Sequence, residues 1–312
     1  MKLVRNLSKD KNIKNCVVAI GNFDGVHPGH QHVIRRGIKL AKEKGKKFAL
    51  LTFEPHPKTF FSKKKKFFRI TPFRKKFELI SSFGIDYYFN LKFDHNLSEM
   101  SASDFIDIIL IKKFSVCTVI TGNDFVFGKQ RAGNIELLKF KAENSKLFDF
   151  VSVKDFSKSL GNKYSSSDVR KSLQDGKIEK VKELLGRNWS IFGRIIRGQK
   201  LARDLGFPTA NINVSKYCKL KFGVYAVDIK VAKQPNKKFQ GIANYGIKPT
   251  FNLRTPLLEV NIFDFDSDIY GENIEITFKY FIRNEKKFKK VRYLKDQILI
   301  DTKIAKKFFN NE

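Results

Sequence analysis

His27 and His30, separated by Pro28 and Gly29 in residues 21–30 (GNFDGVHPGH), are the side chains best spaced to do chemistry together. Each ring can donate a hydrogen bond to a phosphate oxygen. Gly29 lets the backbone come close to a ligand, and Pro28 suits the first turn of a helix. The apolar run at 16–20 and the amphipathic segment that follows read as strand, glycine-bearing turn and helix. Such a junction gathers free amide N–H groups and the positive end of a helix dipole at one point, where anions bind. An isolated H-x-x-H would equally suit a metal pair or the surface. With G-x-F-D-G in front of it, the spacing points to phosphate handling.

The elements that must position this turn alternate. Helices are expected over 31–44, 72–83, 103–114 and 134–143, and strands over 48–53, 85–91, 117–121 and 147–153. This alternation predicts an α/β fold with a doubly wound parallel sheet, whose ligands bind beyond the carboxyl ends of the strands. More motifs fall at such ends. Pro55 and Pro57 stiffen the loop after the second strand, where His56 offers a polar contact or merely rigidifies a turn. Residues 122–128 (GNDFVFG) with Arg131 combine aromatic faces, Phe125 and Phe127, with the polar edges of Asn123 and Asp124. In a chain with 32 phenylalanines, those rings are equally candidates for the core. Residues 164–170 (YSSSDVR) open a helix, with Ser167 an ordinary N-cap and Asp168 favourable in the first turn.

A helix over 178–185 ends at Gly186, where a left-handed cap is expected, and the domain boundary is placed there, giving 1–186 and 187–312. Beyond it, alternating runs at 190–196, 224–231, 257–263 and 274–282 are separated by turn residues and closed by a helix at 294–309. That pattern predicts a small closed β-barrel with a C-terminal helix.

The 312 residues suffice for two cores. The 62 Lys and Arg against 31 Asp and Glu give a formal charge of +31, ordinarily a sign of nucleic acid or membrane. Here the lysines are spread along the chain, and the densest clusters, 63–66 and 286–290, read as solvated loops, so no nucleic-acid or membrane partner is expected. Cys16, Cys117 and Cys218 lie far apart and read as reduced core residues. With neither a secretory h-region nor an apolar run of membrane-spanning length, a cytoplasmic protein is expected. Oligomeric state is not legible.

GNFDGVHPGH resembles the HxGH signature of the nucleotidyltransferase superfamily, in the form found in bifunctional riboflavin kinase/FMN adenylyltransferases. The 122–133 segment resembles that family's G-x-D-F-x-F-G-x-x-R-x-G, and 164–170 its I-S-S-T-x-I-R, with Tyr164 and Ser167 as departures. Residues 206–211 (GFPTAN) resemble the PTAN signature of riboflavin kinases, and 223–226, 241–251, the strand carrying Glu259, 270–271 and 281–285 follow the family order. Ala202 and Lys248 stand where the family commonly has Gly and Arg.

The resemblance implies a Rossmann-like adenylyltransferase domain and a riboflavin kinase domain. Together they would convert riboflavin to FMN and FMN to FAD, with ATP and Mg²⁺ used in both. It assigns His27, His30 and Arg170 to adenylyl transfer. Gly21, Asn22, Phe23, Asp24, Gly29, Pro55, His56, Asn123, Asp124, Phe125, Phe127, Arg131, Ser166 and Ser167 would bind its substrates. In the second domain it assigns Glu259 as catalytic base and Gly206, Pro208, Asn244 and Arg283 to binding. Thr209 and Asn211, two apart on an extended segment, can together reach one Mg²⁺, which also takes substrate phosphates. The chemistry agrees with these residue types. The FMN phosphate is already ionised at neutral pH and needs no base, so its site must position and stabilise charge. The riboflavin alcohol must lose a proton, so a carboxylate is wanted.

Overall fold

The computed structural model describes residues 1–5, 14–62, 69–154, 164–196, 206–247 and 256–312, so the lysines at 63–66, Ala202 and Lys248 lie outside the described residues. The chain divides into two units, Met1–Lys65 with Thr71–Ser165, and Lys66–Ile70 with Ser166–Glu312.

In the first unit the described elements are β1 (Lys2–Val4), β2 (Val17–Ile20), α1 (Pro28–Glu43), β3 (Phe48–Glu54), α2 (Pro57–Phe61), α3 (Phe73–Ser81), β4 (Tyr87–Lys92), α4 (His95–Glu99), α5 (Ala102–Asp104), β5 (Thr118–Gly122), α6 (Ile135–Ser145) and β6 (Asp149–Val153). Helix α5 continues as a π-helix over Phe105–Lys113, where an ordinary α-helix is expected from the sequence. The strands form one parallel sheet in the order β1-β4-β3-β2-β5-β6. Because successive side chains of a strand point to opposite faces, the apolar runs supply two cores. Val18, Ile20, Ala49, Leu51 and Val119 join Phe105, Leu110 and Leu138 on one face. Val17, Ala19, Leu50, Tyr88 and Ile120 join Ile34, Ala41 and Ile80 on the other. Burial on both faces explains why these strands read as unbroken apolar runs. The chain reverses its direction of winding between β2 and β5, so the crevice beyond their carboxyl ends is the ligand site such a sheet provides.

The second unit contains α7 (Ser166–Gln174), α8 (Ile178–Leu185), β7 (Ser190–Ile196), β8 (Thr209–Asn213), β9 (Gly223–Val231), β10 (Phe239–Gly246), β11 (Leu257–Ile262), β12 (Asn273–Asn284) and α9 (Val291–Asn310). The strands close into an antiparallel barrel in the order β10-β11-β8-β7-β12-β9. Ile191, Ile212, Ile229, Leu258, Val260 and Ile276 share its core, while Val224, Ala226 and Ile242 pack with Ala305 of α9. Gly186 caps α8 in the left-handed conformation, φ 68°, as expected. The compact units are delimited at Ser165, which leaves α7 and α8 with the barrel. Val169, Leu173, Ile178, Val181 and Leu185 of α7 and α8 enter the same core as Trp189 and Ile191, so the apolar stripes of both helices are covered by the barrel unit. Ile70 belongs to that core too, its carbonyl accepting from Trp189 Nε1 at 2.9 Å.

Candidate functional sites

The turn leaving β2 is held in a conformation its residues do not choose. Phe23 and Val26 have φ of 50° and 44°, and Gly25 94°. Left-handed backbone is costly for a β-branched residue, and persists only where the surroundings over-determine it. Here the surroundings are Thr71 and α3. Thr71 N–H donates to Asp24 Oδ1 at 3.0 Å, its hydroxyl donates to the same oxygen at 3.3 Å, and Gly25 N–H donates to that hydroxyl at 2.8 Å. Lys76 of α3, only 3 % exposed, donates to the Asn22 carbonyl at 3.1 Å. Asp24 is therefore buried as a brace of the turn. Phe23, also buried, meets the His30 ring edge-on at 5.4 Å between centroids.

The brace delivers His27 to the N-cap of α1, where its Nδ1 accepts the His30 N–H at 3.3 Å and Pro28 takes the first helical position. In the neutral ring this leaves Nε2 as the donor. The His27 and His30 rings stack at 3.6 Å. A methyl on Gly29 would press on the His27 ring at 3.3 Å, so glycine there keeps the stack in place. Two buried polar atoms at these strand ends, Asn22 Oδ1 and Thr121 Oγ1, have no hydrogen-bond partner among the described residues. A ligand bound there would supply the partners these atoms lack.

The loop after β5, the strand beside β2, carries Asn123 and Asp124. Asn123 Oδ1 accepts from Ser152 Oγ at 2.5 Å. Phe125 and Phe127 stack at 5.4 Å, but Phe127 is buried with Ala102 and Phe105, so it belongs to the core and only Phe125 offers a partly open face. Gly128 and Gly133 allow this burial, since a methyl on either would clash with Ala102. Arg131 is exposed in a short 3₁₀ turn, φ 62°. Pro55 follows a cis peptide bond. The His56 side chain is spent on capping α2, accepting from Lys58 N–H at 3.1 Å. Ser166, Ser167 and Arg170 stand on the first turns of α7, in the other unit.

On the barrel, strand register assembles what the sequence scatters. Glu259 of β11 is directly opposite Asn211 of β8 on one side and Asn244 of β10 on the other. Their neighbours Leu258, Val260, Ala210, Ile212, Ala243 and Tyr245 are buried in the barrel core, so by alternation the three polar residues form a row on the outer face. Thr209 is two residues along β8 from Asn211 and shares its face. Pro208, Thr209 and Asn211 line a cavity of about 360 Å³ together with Ala210, Val260 and Ile262 of the barrel and the 265–270 segment. Gly206, φ 87°, precedes this stretch.

Arg283, expected to bind substrate, is also engaged within the fold. Its guanidinium makes a forked pair with Asp301 of α9, Nε–Oδ1 2.8 Å and Nη2–Oδ2 2.7 Å, and Asp301 is 1 % exposed. Arg283 thus anchors the helix to the barrel. Glu285 falls in the 281–285 segment that follows the family order, but the sequence reading gives it no role there. Its Oε1 occupies the space that a methyl on Gly246 would need. Partial desolvation, then the charge of Glu259, raise its carboxyl above the ordinary value, against the pull of Lys287 and Arg283.

Phosphate chemistry at two separately built sites is the class that this fold and geometry define. An FAD synthetase family model matches residues 9–168, and a riboflavin kinase family model matches 185–309. Curated relatives named bifunctional riboflavin kinase/FMN adenylyltransferase include one from Buchnera aphidicola subsp. Schizaphis graminum, 43 % identical with 99 % of each chain covered. Others are from Haemophilus influenzae, 39 % with 100 % of each, and Escherichia coli K12, 35 % with 99 % of this chain and 98 % of the other. A solved structure titled a macrolide-efflux protein from Streptococcus pneumoniae superposes with TM-score 0.83 at 27 % identity, covering 98 % of both chains. Among the described residues no helix is long and apolar enough to cross a membrane. The chain belongs to the bifunctional riboflavin kinase/FMN adenylyltransferase family.

Proposed function

We propose that this chain makes both flavin cofactors in the cytoplasm. The barrel phosphorylates riboflavin with ATP, giving FMN and ADP, and the sheet unit transfers AMP from ATP to FMN, giving FAD and pyrophosphate. The adenylyltransferase portion is residues 1–186 and the kinase portion 187–312, although α7 and α8 pack with the barrel. The observation that carries the kinase assignment is the row Asn211–Glu259–Asn244. It sets one carboxylate between two amides, on the face shared by Thr209.

In phosphorylation, Glu259 takes the proton of the terminal alcohol as its oxygen attacks the γ-phosphorus and the bond to ADP breaks. Thr209 and Asn211 supply hard oxygen donors on one face. That suits Mg²⁺, which keeps waters and takes substrate phosphates rather than an all-protein cage. Bound there, the ion would draw charge from the phosphates, and the neighbouring cavity would take the nucleotide. In adenylyl transfer, an FMN phosphate oxygen attacks the α-phosphorus and pyrophosphate leaves. His27, His30 and the amides of the α1 turn hold the phosphates in line, and Asn22 and Phe125 contact the substrates, with Ser166, Ser167 and Arg170 assigned to the triphosphate on the family resemblance.

Both half-reactions, measured on single preparations, test the assignment. His30→Ala removes one transition-state donor, worth about 10²- to 10³-fold, and should suppress FAD formation from FMN while riboflavin phosphorylation persists. Glu259→Gln removes a base worth about 10²- to 10⁴-fold and should do the reverse. An unchanged rate of FMN formation in Glu259→Gln would sink the kinase mechanism.

A further inference from the structure

We propose that Glu285 recognises the secondary hydroxyls of the ribityl chain, and so decides which flavin alcohols the barrel phosphorylates. The inference rests on the reading of the outer face given above, with Glu259 as base. Register orders that face in three steps: Thr209 opposite Asn261; then Asn211, Glu259 and Asn244; then Asn213 opposite Leu257, itself opposite Gly246. Glu285 follows the last residue of β12 and lays its carboxyl over Gly246. It therefore stands two residues beyond the Glu259 row, on the side away from Thr209. Two residues of strand are roughly 6.6 Å, a span bridged when Glu259 holds the terminal alcohol and Glu285 holds a hydroxyl one or two carbons further along the chain.

Chemistry selects what meets Glu285. Thr209 and Asn211 supply the hard donors that a cation carrying the phosphates needs, so the triphosphate belongs at the Thr209 end and the rest of the flavin alcohol at the Glu285 end. Among the described residues Glu285 makes no hydrogen bond or ion pair, and it is exposed. Two carboxyl oxygens free to accept suit a vicinal diol, whose O–H groups donate. Gly246 is what lets the carboxyl lie there. Its φ is not in the left-handed region, so an alanine would leave the backbone alone and displace only the end of the Glu285 side chain.

The experiment compares riboflavin with a flavin carrying a 5-hydroxypentyl chain at N10, which keeps the terminal alcohol and lacks the secondary hydroxyls. FMN-type product is measured for wild type, Glu285→Ala and Gly246→Ala, and FAD formation from supplied FMN in each preparation checks that the protein is folded. A hydrogen bond to a charged group is worth about ten- to a hundredfold. Both variants should lose about that factor in kcat/KM for riboflavin and almost none for the analogue, so the wild-type preference for riboflavin collapses. An equal loss on both flavins, or a shifted Mg²⁺ requirement common to both, would assign Glu285 to the cation or the base and overturn the proposal. So would an unaltered preference. Glu259→Gln in the same series separates the failures: if it leaves phosphorylation intact, the reading of the face is wrong; if it abolishes it while the preference survives Glu285→Ala, only this inference is.

Discussion

Thr71→Val tests whether the brace, rather than the turn sequence alone, makes the HxGH site. Valine keeps the shape of threonine and the N–H that donates to Asp24, and removes only the hydroxyl. Gly25 N–H loses its acceptor at 2.8 Å, and Asp24 loses a weaker bond at 3.3 Å. Withdrawing the partner of a buried amide costs about 1–3 kcal/mol. The left-handed Phe23 and Val26 each hold about 1–3 kcal/mol of strain, so the loss is comparable with what keeps the turn in place. If it falls wholly on the active conformation, at about 1.36 kcal/mol per decade, FAD formation drops roughly 5- to 160-fold. Thr71→Ser, which retains the hydroxyl, should recover most of the rate, and FMN formation should be unchanged in both variants. Coupled measurement of the two half-reactions decides it. A folded Thr71→Val enzyme making FAD at the wild-type rate would show that the strained turn holds itself and that Thr71 is incidental.

Three other outcomes follow from the same structure. Asp301→Ala leaves the largely buried Arg283 guanidinium without its partner, and should cost about 3–5 kcal/mol, read as a lower denaturant midpoint for the barrel unit. The Cys16 thiol is pushed up to about 11, first by burial and then by Cys117 and Asp86; its thiolate fraction at pH 8 is then about a thousandth, so in mass-spectrometric alkylation of the native protein it should react some hundredfold more slowly than a free cysteine. Glu285→Gln should change stability in a pH-dependent direction. The folded carboxyl titrates above its unfolded value, so wild type has its full relative stability below the unfolded pKa and loses it as pH rises through the folded one; the Gln variant should match wild type at pH 3 and gain slightly at pH 7, and a gain confined to acid would refute the sign.

The α1 turn was legible because its information is local. A histidine at the cap, a proline at the first helical position and a glycine between two rings act within one turn, and alternation of apolar runs sufficed for both folds. What holds that turn was not legible. Thr71 and Lys76 lie 46 and 54 residues from the atoms they bind, and nothing in residues 69–76 distinguishes them from an ordinary helix start. Periodicity finds the apolar stripe of α7 and α8 but says nothing of what covers it, which is why the division expected at Gly186 and the one at Ser165 differ. In residues 122–128 the motif supplies two aromatics without saying which faces inward; Gly128 and Gly133, by admitting Ala102, decide that Phe127 does.

The barrel gives the same lesson in its chemistry. The PTAN segment and Glu259 can be read singly as donor and base, yet their value depends on register, because a slip of one residue in β11 would turn Glu259 into the core and Leu258 outward. The register is fixed by the apolar half of each strand: Leu258 and Val260 must meet Ile212 and Ala210, and Tyr245 and Ala243 must meet Leu258 and Val260. The core residues thereby align Asn211, Glu259 and Asn244 without touching them. Arg283 illustrates the converse, a motif residue whose charge the fold has already used on Asp301, while Glu285 two positions later keeps its carboxyl open.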